Sequence, residues 1–351
     1  MHADQPLASP ATWYGPATWT SARWRDDVTG WLDDRLAALG ERRTGEVEQP
    51  HLRPWSTALR AETSCGTVWL KAPGPGAAFE VSLYPVLATR AGEHVLTPLA
   101  VDVERRWLLL PDGGPVLGEI LQGRPLIDAL CAAAAAYGQL QLDLAGSVDE
   151  LLDAGVPDMR VEVMASRLAQ ALEVVRPYVE SSDDDADRAT YERLRGTQEE
   201  FTRACGELGR SVVPASLQHG DLHPRNIFSG GRAGSAPVFF DWGDSTVAHP
   251  FTTMLVTLRV VSSLAAGGSG GRDVVRVRDA YLEPFDVLAP RRELVDELER
   301  ACHIGKVARS LTWAAQLSGL PAADTADDAD IPFAWLALVL DSSYLGDVDA
   351  D

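Results

Sequence analysis

The stretch LQHGDLHPRNIF, at residues 217–228, holds the densest group of functional side chains in the chain. Two histidines, an aspartate, an arginine and an asparagine stand there between apolar ends. This composition fits a metal site, a proton-transfer site or a polar turn. A second stretch, VFFDWGD at residues 238–244, narrows the choice, because an apolar run leads directly into a further aspartate, Asp241.

The spacing of these carboxylate and amide side chains suits phosphoryl transfer. Asn226 follows Asp221 by five positions, and Asp241 follows Asp221 by 20. In phosphoryl transfer a carboxylate takes or orients the proton of the attacking hydroxyl, and oxygen ligands hold Mg²⁺ against the nucleotide phosphates. Asn226 and Asp241 supply hard oxygen ligands of this kind. A β-hairpin would bring all three side chains together, with His219 as a hydrogen-bonding support.

In HGDLHPRN and FFDWGD the chain resembles the aminoglycoside phosphotransferase family and, more distantly, the protein kinases. The resemblance extends over about residues 50–260. It implies that Asp221 is the catalytic base and that Asn226 and Asp241 are the Mg²⁺ ligands. It also implies an α+β, bilobal protein-kinase-like fold, with a small β-rich N-lobe and a larger, mostly helical C-lobe. The nucleotide implied is ATP, or GTP in its place.

A strand-like run, TVWLKA, gives an independent sign of nucleotide binding. It contains Lys71, the only lysine before residue 306, and a compact ammonium group suits a phosphate contact. By the resemblance, Glu80 is the helical glutamate that positions this lysine, and Glu93 is its substitute. Pro85 lies inside the same predicted helix, where it removes a hydrogen bond and should cause a kink.

The sequence before Lys71 has no glycine-rich loop of the G-x-G-x-x-G type. The corresponding turn falls in RPWSTALR, where Ser56 and Thr57 are predicted to help cover the nucleotide through backbone N–H and hydroxyl groups. The run RWLLL leads into PDGGP, which should form the hinge beside the nucleotide base. Three parts are therefore predicted: an arm with an amphipathic helix at 1–44, a nucleotide-binding N-lobe at 45–114, and a catalytic and acceptor-binding C-lobe at 115–351.

The periodicity of apolar residues predicts the secondary structure. Strands are predicted at 56–62, 66–72, 94–103 and 106–110, with strand-like pieces near 211–228 and 237–241. Helices are predicted at 21–39, 77–90, 125–142, 160–180, 186–209, 250–266, 273–284, 291–317 and 332–340. The glycine-rich runs at 229–235 and 265–272 are predicted to be plain loops.

Five further residues are candidates for binding the acceptor or the transferred phosphate. They are His223, Arg225, Asp244, Asp327 and Asp330. The first two lie inside the motif around Asp221, and the third follows DWG. The last two belong to DTADDAD, whose carboxylates would suit the ammonium groups of an acceptor. Support of a loop, a surface salt bridge or a solvated acidic segment also explains the same residues.

The composition limits the possible partners. A formal charge of −20 argues against nucleic acid, whose phosphates would be repelled. No apolar run approaches the roughly 20 residues that cross a bilayer, so no membrane partner is expected. Four scattered cysteines and a first segment without a signal-peptide pattern predict a reducing, cytoplasmic setting. An acidic surface would attract a cationic small-molecule acceptor, and the sequence leaves the oligomeric state unknown.

Several functions are compatible with these residues. The leading prediction is a Mg²⁺- and nucleotide-dependent kinase that acts on a hydroxyl of an aminoglycoside, amino sugar or related antibiotic. A sugar or amino-alcohol kinase of primary metabolism has nearly the same signature. A pseudokinase would bind nucleotide without turnover. A metallohydrolase would use HGDLH as an H-x-D-x-H metal cluster, but it would leave Lys71, Asn226 and Asp241 without a role.

Overall fold

The chain has an α+β architecture, with an antiparallel sheet in its N-terminal part and mostly helices in its C-terminal part, as the sequence predicts. The computed structural model describes residues 14–229, 236–264, 270–341 and 343–345. Residues 1–13, the first part of the segment predicted at 1–44, lie outside these ranges. So do most of the residues in the two loops predicted from glycine-rich runs.

Five antiparallel strands form the N-terminal sheet, in the order β1-β2-β3-β5-β4. They are β1 (Arg43–Arg53), β2 (Ser56–Thr63), β3 (Gly66–Pro73), β4 (Ala100–Asp102) and β5 (Trp107–Pro111). The strands predicted for β2, β3 and β5 are confirmed. The run predicted at 94–103 forms only the short β4. Strand β1 was not among the predicted strands, because its sequence, RTGEVEQPHLR, is mostly polar and mostly exposed.

Helices cover both faces of this sheet. Helices α1 (Pro16–Trp19) and α2 (Ala22–Ala38) share a core with alternate residues of β3, among them Leu70 and Ala72. Successive side chains of a strand point to opposite faces. Lys71, between those two residues, therefore points to the other face, where α3 (Glu80–Arg90) packs.

Helices dominate the chain beyond the sheet. They are α4 (Leu117–Ile120), α5 (Gly123–Leu144), α6 (Val148–Asp153), α7 (Val161–Ser181), α8 (Asp185–Arg195), α9 (Gln198–Leu208), α10 (Met254–Leu264), α11 (Arg272–Leu282), α12 (Arg291–Leu317) and α13 (Ile331–Ala337). The predicted helices are confirmed, except that the one predicted at 186–209 is two helices. The chain turns between α8 and α9 at Gly196, where the low helix propensity of glycine favours the break.

Two small sheets hold the motif-bearing segments. Strand β10 (Thr246–Ala248) pairs with β6 (Asp158–Met159) and with β7 (Ser216–Gln218). The predicted hairpin is present as β8 (Ile227–Phe228) and β9 (Val238–Phe239), which pair antiparallel. Strand β8 begins directly after Asn226, and β9 ends two residues before Asp241. The pairing of the two strands therefore brings the two motif segments together. Among the helices that the structure describes, none has the length and apolar character needed to span a membrane.

Candidate active site

Lys71 links three parts of the chain through ion pairs. Its Nζ lies 2.7 Å from a carboxylate oxygen of Glu80, at the start of α3, and also pairs with Asp241 Oδ1, just after β9. The backbone N–H of Trp242 donates to Glu80 Oε1 at 3.0 Å. Burial opposes the charge on Lys71, but Asp241 and Glu80 raise its pKa well above the ordinary value. The ammonium group is therefore held charged between the sheet and the hairpin.

The short separation between Lys71 and Glu80 is bridged because α3 begins directly at Glu80. The glutamate is wholly buried and lies in the first helical turn. Pro85 falls later in the helix, which continues through it to Arg90. The substitute, Glu93, is exposed in a turn beyond the helix, and the structure does not bring it to Lys71.

Asp241 has a left-handed backbone conformation, with φ of 64° and ψ of 63°. Residues other than glycine adopt this region rarely, although aspartate tolerates it better than most. Such conformations persist where the surrounding structure fixes them, and they cluster at functional sites. Here the turn after β9 presents the Asp241 carboxylate, whose side chain is 49% exposed, next to Lys71.

Asn226 is fixed by the loop that contains Asp221. Its Nδ2–H donates to the Asp221 backbone carbonyl at 2.9 Å and to Asp221 Oδ2 at 3.3 Å. No residue in the described ranges donates a hydrogen bond to its other amide atom, Oδ1. That oxygen and the Asp241 carboxylate are hard donors of the type Mg²⁺ prefers. The residues present therefore fit the magnesium ion that the sequence predicts.

His219 connects the two motif segments through one of its ring nitrogens. Its Nε2 lies 2.9 Å from the Phe240 carbonyl oxygen, and its ring lies 4.7 Å from the Trp242 ring. Burial lowers the pKa of His219, so the neutral ring donates Nε2–H to that carbonyl. Within the residues described, no group of three or more His, Cys, Asp or Glu side chains is arranged to hold a metal ion.

Asp221 has two cationic or polar neighbours besides Asn226. Its Oδ1 accepts from Arg309 Nη2 at 3.0 Å, and its Oδ2 lies 3.3 Å from His223 Nε2. The other ring nitrogen of His223, Nδ1, accepts the Arg225 backbone N–H at 3.1 Å, so Nε2 carries the proton. Burial opposes ionisation of Asp221, but Arg309 and then His223 hold its pKa well below the ordinary range. The carboxylate is therefore ionised near neutral pH.

Asp244 is held by helix α12. Its Oδ2 accepts from Arg309 Nη1 at 2.6 Å, and its Oδ1 accepts from Gln316 Nε2 at 3.0 Å. Neither partner is predicted from the sequence, because α12 has the apolar pattern of a core helix. A signal was present: Arg309 and Gln316 lie seven positions apart, on one face of a helix with a buried apolar stripe. Polar residues in that position require a buried partner.

Within the described ranges, four other predicted residues form no hydrogen bond or ion pair with Lys71, Asp221, Asn226 or Asp241. The Thr57 hydroxyl is buried and donates to the His51 carbonyl at 2.8 Å, so it is used inside the sheet and its hydroxyl is not free for the nucleotide. Ser56 is half-buried at the start of β2. Asp327 and Asp330 are exposed near the start of α13.

The turn before β2 contacts the C-terminal part of the chain through the side chain of Trp55. The Trp55 ring makes an edge contact with Trp313 of α12, with ring centroids 5.3 Å apart. Arg225, another predicted phosphate contact, has an exposed side chain. A turn is therefore present in RPWSTALR, between β1 and β2, and its Trp55 ring packs against α12.

Gly220 should be the least replaceable glycine of the motif. Its φ is +79°, and an added Cβ would lie 2.2 Å from the Asp244 carbonyl oxygen. We expect Gly220→Ala to lower the free energy of unfolding by about 2–4 kcal/mol, measured by urea denaturation. Gly40→Ala is a matched control, because Gly40 has φ of +78° and no atom within 4 Å of an added Cβ. Gly40→Ala should lower the free energy of unfolding by only about 1 kcal/mol. Equal losses for the two variants would show that the Asp244 carbonyl does not clash with the added Cβ.

Solved structures with a similar fold include small-molecule kinases and phosphotransferases. Choline kinase from Cryptosporidium parvum has a TM-score of 0.61 at 13% identity, covering 89% of this chain and 94% of its own. Ethanolamine kinase from Plasmodium vivax has a TM-score of 0.58 at 13% identity, covering 84% and 82%. Macrolide 2′-phosphotransferase from Brachybacterium faecium has a TM-score of 0.53 at 17% identity, covering 89% and 98%. No curated protein is significantly similar in sequence.

The motif segments and the lysine strand also lie together in one family match. The sequence model of the phosphotransferase enzyme family matches residues 55–294. That range contains Lys71, Glu80, Asp221 and Asp241, and it ends before Arg309. The resemblance predicted from HGDLHPRN and FFDWGD is thereby confirmed: the chain belongs to the phosphotransferase enzyme family, a family of small-molecule kinases.

Proposed function

We propose that the chain transfers the terminal phosphoryl group of Mg²⁺-ATP to a hydroxyl group of a small molecule. The observation that carries this proposal is the position of Lys71, paired with both Glu80 and Asp241. A lysine held between a helical glutamate and a metal-binding aspartate is the arrangement that kinase-like phosphoryl transfer uses. An uninvolved lysine at a strand end would not need two carboxylates from separate elements.

In the proposed reaction the N-lobe, residues 45–114, binds the nucleotide. Lys71 would contact the nucleotide phosphates, and Asp241 and Asn226 would hold Mg²⁺. When bound, the ion would neutralise charge on the phosphates. GTP has the same phosphates, so it serves as the alternative nucleotide.

The C-lobe, residues 115–351, would supply the base and bind the acceptor. Asp221 is 27% exposed, is held ionised by its neighbours and accepts hydrogen bonds at both carboxylate oxygens. An ionised carboxylate next to an acceptor hydroxyl can take or orient its proton. Intact Lys71, Asp221, Asn226 and Asp241 favour this function over a pseudokinase.

The acceptor class is a separate question. The sequence predicts an aminoglycoside, amino sugar or related antibiotic, with a sugar or amino alcohol as the alternative. Amino sugars, aminoglycosides and amino alcohols all carry ammonium groups, whereas a simple sugar does not. The charges around Asp221 therefore bear directly on the choice.

Acceptor-dependent nucleotide consumption tests the proposed function. We expect ADP release from Mg²⁺-ATP to rise when the right hydroxyl compound is added, and to fall to background when Mg²⁺ is chelated, because the phosphate charge is then unscreened. The panel should contain aminoglycosides, amino sugars, amino alcohols and neutral sugars, each with ATP and with GTP. Tight nucleotide binding with no consumption across the panel would favour the pseudokinase instead.

A further inference from the structure

Arg309 is a buried cation placed directly beside the proposed catalytic base. Its side chain is only 8% exposed, although it belongs to the long helix α12. Its Nη2 donates to Asp221, and its Nη1 donates to Asp244. One guanidinium group of the protein therefore partners both carboxylates.

Two indole rings complete the surroundings of this guanidinium. Its central carbon lies 5.4 Å from the centroid of a Trp313 ring and 5.8 Å from the centroid of a Trp335 ring. Aromatic faces attract cations at distances up to about 6 Å. Carboxylates and indole rings together form surroundings that suit an organic cation. In this chain the cation between those carboxylates and rings is the guanidinium group of Arg309.

We propose that Arg309 determines which acceptors bind, because it occupies the place that an ammonium group beside the reacting hydroxyl would take. The inference rests on the proposed function, since the hydroxyl must come close to Asp221 for its proton to be taken. An ammonium group next to that hydroxyl would find Asp221 and Asp244 already paired and would lie beside the like charge of Arg309 in a partly buried site, which disfavours binding. The acceptor is therefore a hydroxyl compound without a cationic group beside the reacting hydroxyl.

Two unpaired N–H donors of the same cluster favour an oxygen atom over a second cation beside Arg309. Arg309 Nε and Trp313 Nε1 are buried N–H donors that lack a hydrogen-bond partner within the part of the chain the structure describes. A buried donor is stabilised by an oxygen atom and not by a second cation. Hydroxyl and ether oxygens are the groups that a neutral sugar or polyol would offer.

Titration of tetramethylammonium into nucleotide-free protein tests this proposal without any turnover. We expect calorimetry to show that Arg309→Met binds this cation at least about 10-fold more tightly than the wild-type chain, because Asp221 and Asp244 lose their internal partner. Arg309→Lys keeps a cation in place and should bind like the wild type. A merely structural role of Arg309 would not separate the two substitutions in this way.

Arg259→Met is the matched control for this titration. The Arg259 guanidinium also lies over a Trp335 ring, at 5.2 Å, but it donates to the Leu345 backbone carbonyl. This variant should bind tetramethylammonium like the wild type. Equal affinity of Arg309→Met and the wild type would overturn the proposal, whether both bind the cation or neither does.

The wild-type chain provides a second measurement if circular dichroism shows that Arg309→Met does not fold. Tetramethylammonium binding to the wild type that disappears in Asp221→Asn would mean that the cation site is open, and it would overturn the proposal. No such binding is the expected result. Because nucleotide and turnover take no part in these titrations, a failure of the proposed kinase activity can be distinguished from a failure of this inference.

Discussion

Asp221→Asn is expected to lower acceptor-dependent phosphate transfer by about 100- to 10,000-fold, the usual contribution of a general base. The amide has nearly the same size as the carboxylate, and its oxygen can still accept a hydrogen bond from Arg309. It cannot take a proton from the acceptor hydroxyl. Because Lys71, Asn226 and Asp241 are unchanged, the affinity for Mg²⁺-ATP should stay close to the wild-type value. Initial rates and calorimetric titration measure the two quantities.

Asp33→Asn is a suitable control for this substitution. Asp33 pairs with Arg43 through two hydrogen bonds of 2.9 and 2.8 Å, but it lies on α2, on the sheet face opposite Lys71. The Asp33→Asn substitution removes a carboxylate from an arginine pair far from the proposed site. Phosphate transfer should therefore continue at the wild-type rate. Near-normal transfer by Asp221→Asn would refute the base assignment.

The pH profile gives the same prediction a second readout. Arg309 and His223 hold the pKa of Asp221 below its ordinary value, so the carboxylate stays ionised as the pH falls towards that value. The base is then lost only below about pH 4, the ordinary pKa of an aspartate. We therefore expect no acidic limb of turnover from Asp221 between about pH 5 and 8.

The sequence predicts those parts of the fold and of the site that depend on local patterns. Lys71 lies in a strand with period-two alternation, and such alternation fixes the face on which a side chain lies. The hairpin between Asn226 and Asp241 is short, so its two ends must come close together. In both cases a few neighbouring residues determine the geometry, and the structure agrees with the prediction.

Other parts depend on contacts between distant segments, which local patterns do not specify. Arg309 lies 88 positions from Asp221, and its partners are visible only when α12 has packed against the motif. Thr57 was predicted near the nucleotide because it lies in the turn that corresponds to a glycine-rich loop, while the polar strand β1 was not among the predicted strands. Once β1 pairs with β2, the Thr57 hydroxyl is committed to His51. In both cases a polar side chain is committed to a partner that no local sequence pattern indicates.

Asp241→Asn should have its largest effect on nucleotide binding that depends on magnesium. The substitution removes the negative charge of a proposed Mg²⁺ ligand, and we expect the affinity for Mg²⁺-ATP to fall by at least about 100-fold. Even substitutions of residues that only support a metal ligand lower metal affinity by about 10- to 100-fold. Calorimetric titration of ATP with and without Mg²⁺ measures the effect. Unlike Asp221→Asn, this variant should lose binding and turnover together.

ATP without magnesium should respond to Asp241→Asn in the opposite direction. The Asp241 carboxylate pairs with Lys71, the residue proposed to contact the phosphates. Removing its charge relieves repulsion of the phosphates and leaves Lys71 with Glu80 as its charged partner, so metal-free ATP should bind as tightly as before or more tightly. A parallel loss of both affinities would instead indicate a distorted turn after β9. If the affinity for ATP depended on magnesium as in the wild type, Asp241 would not be a metal ligand. A ligand that loses its charge must bind the ion more weakly.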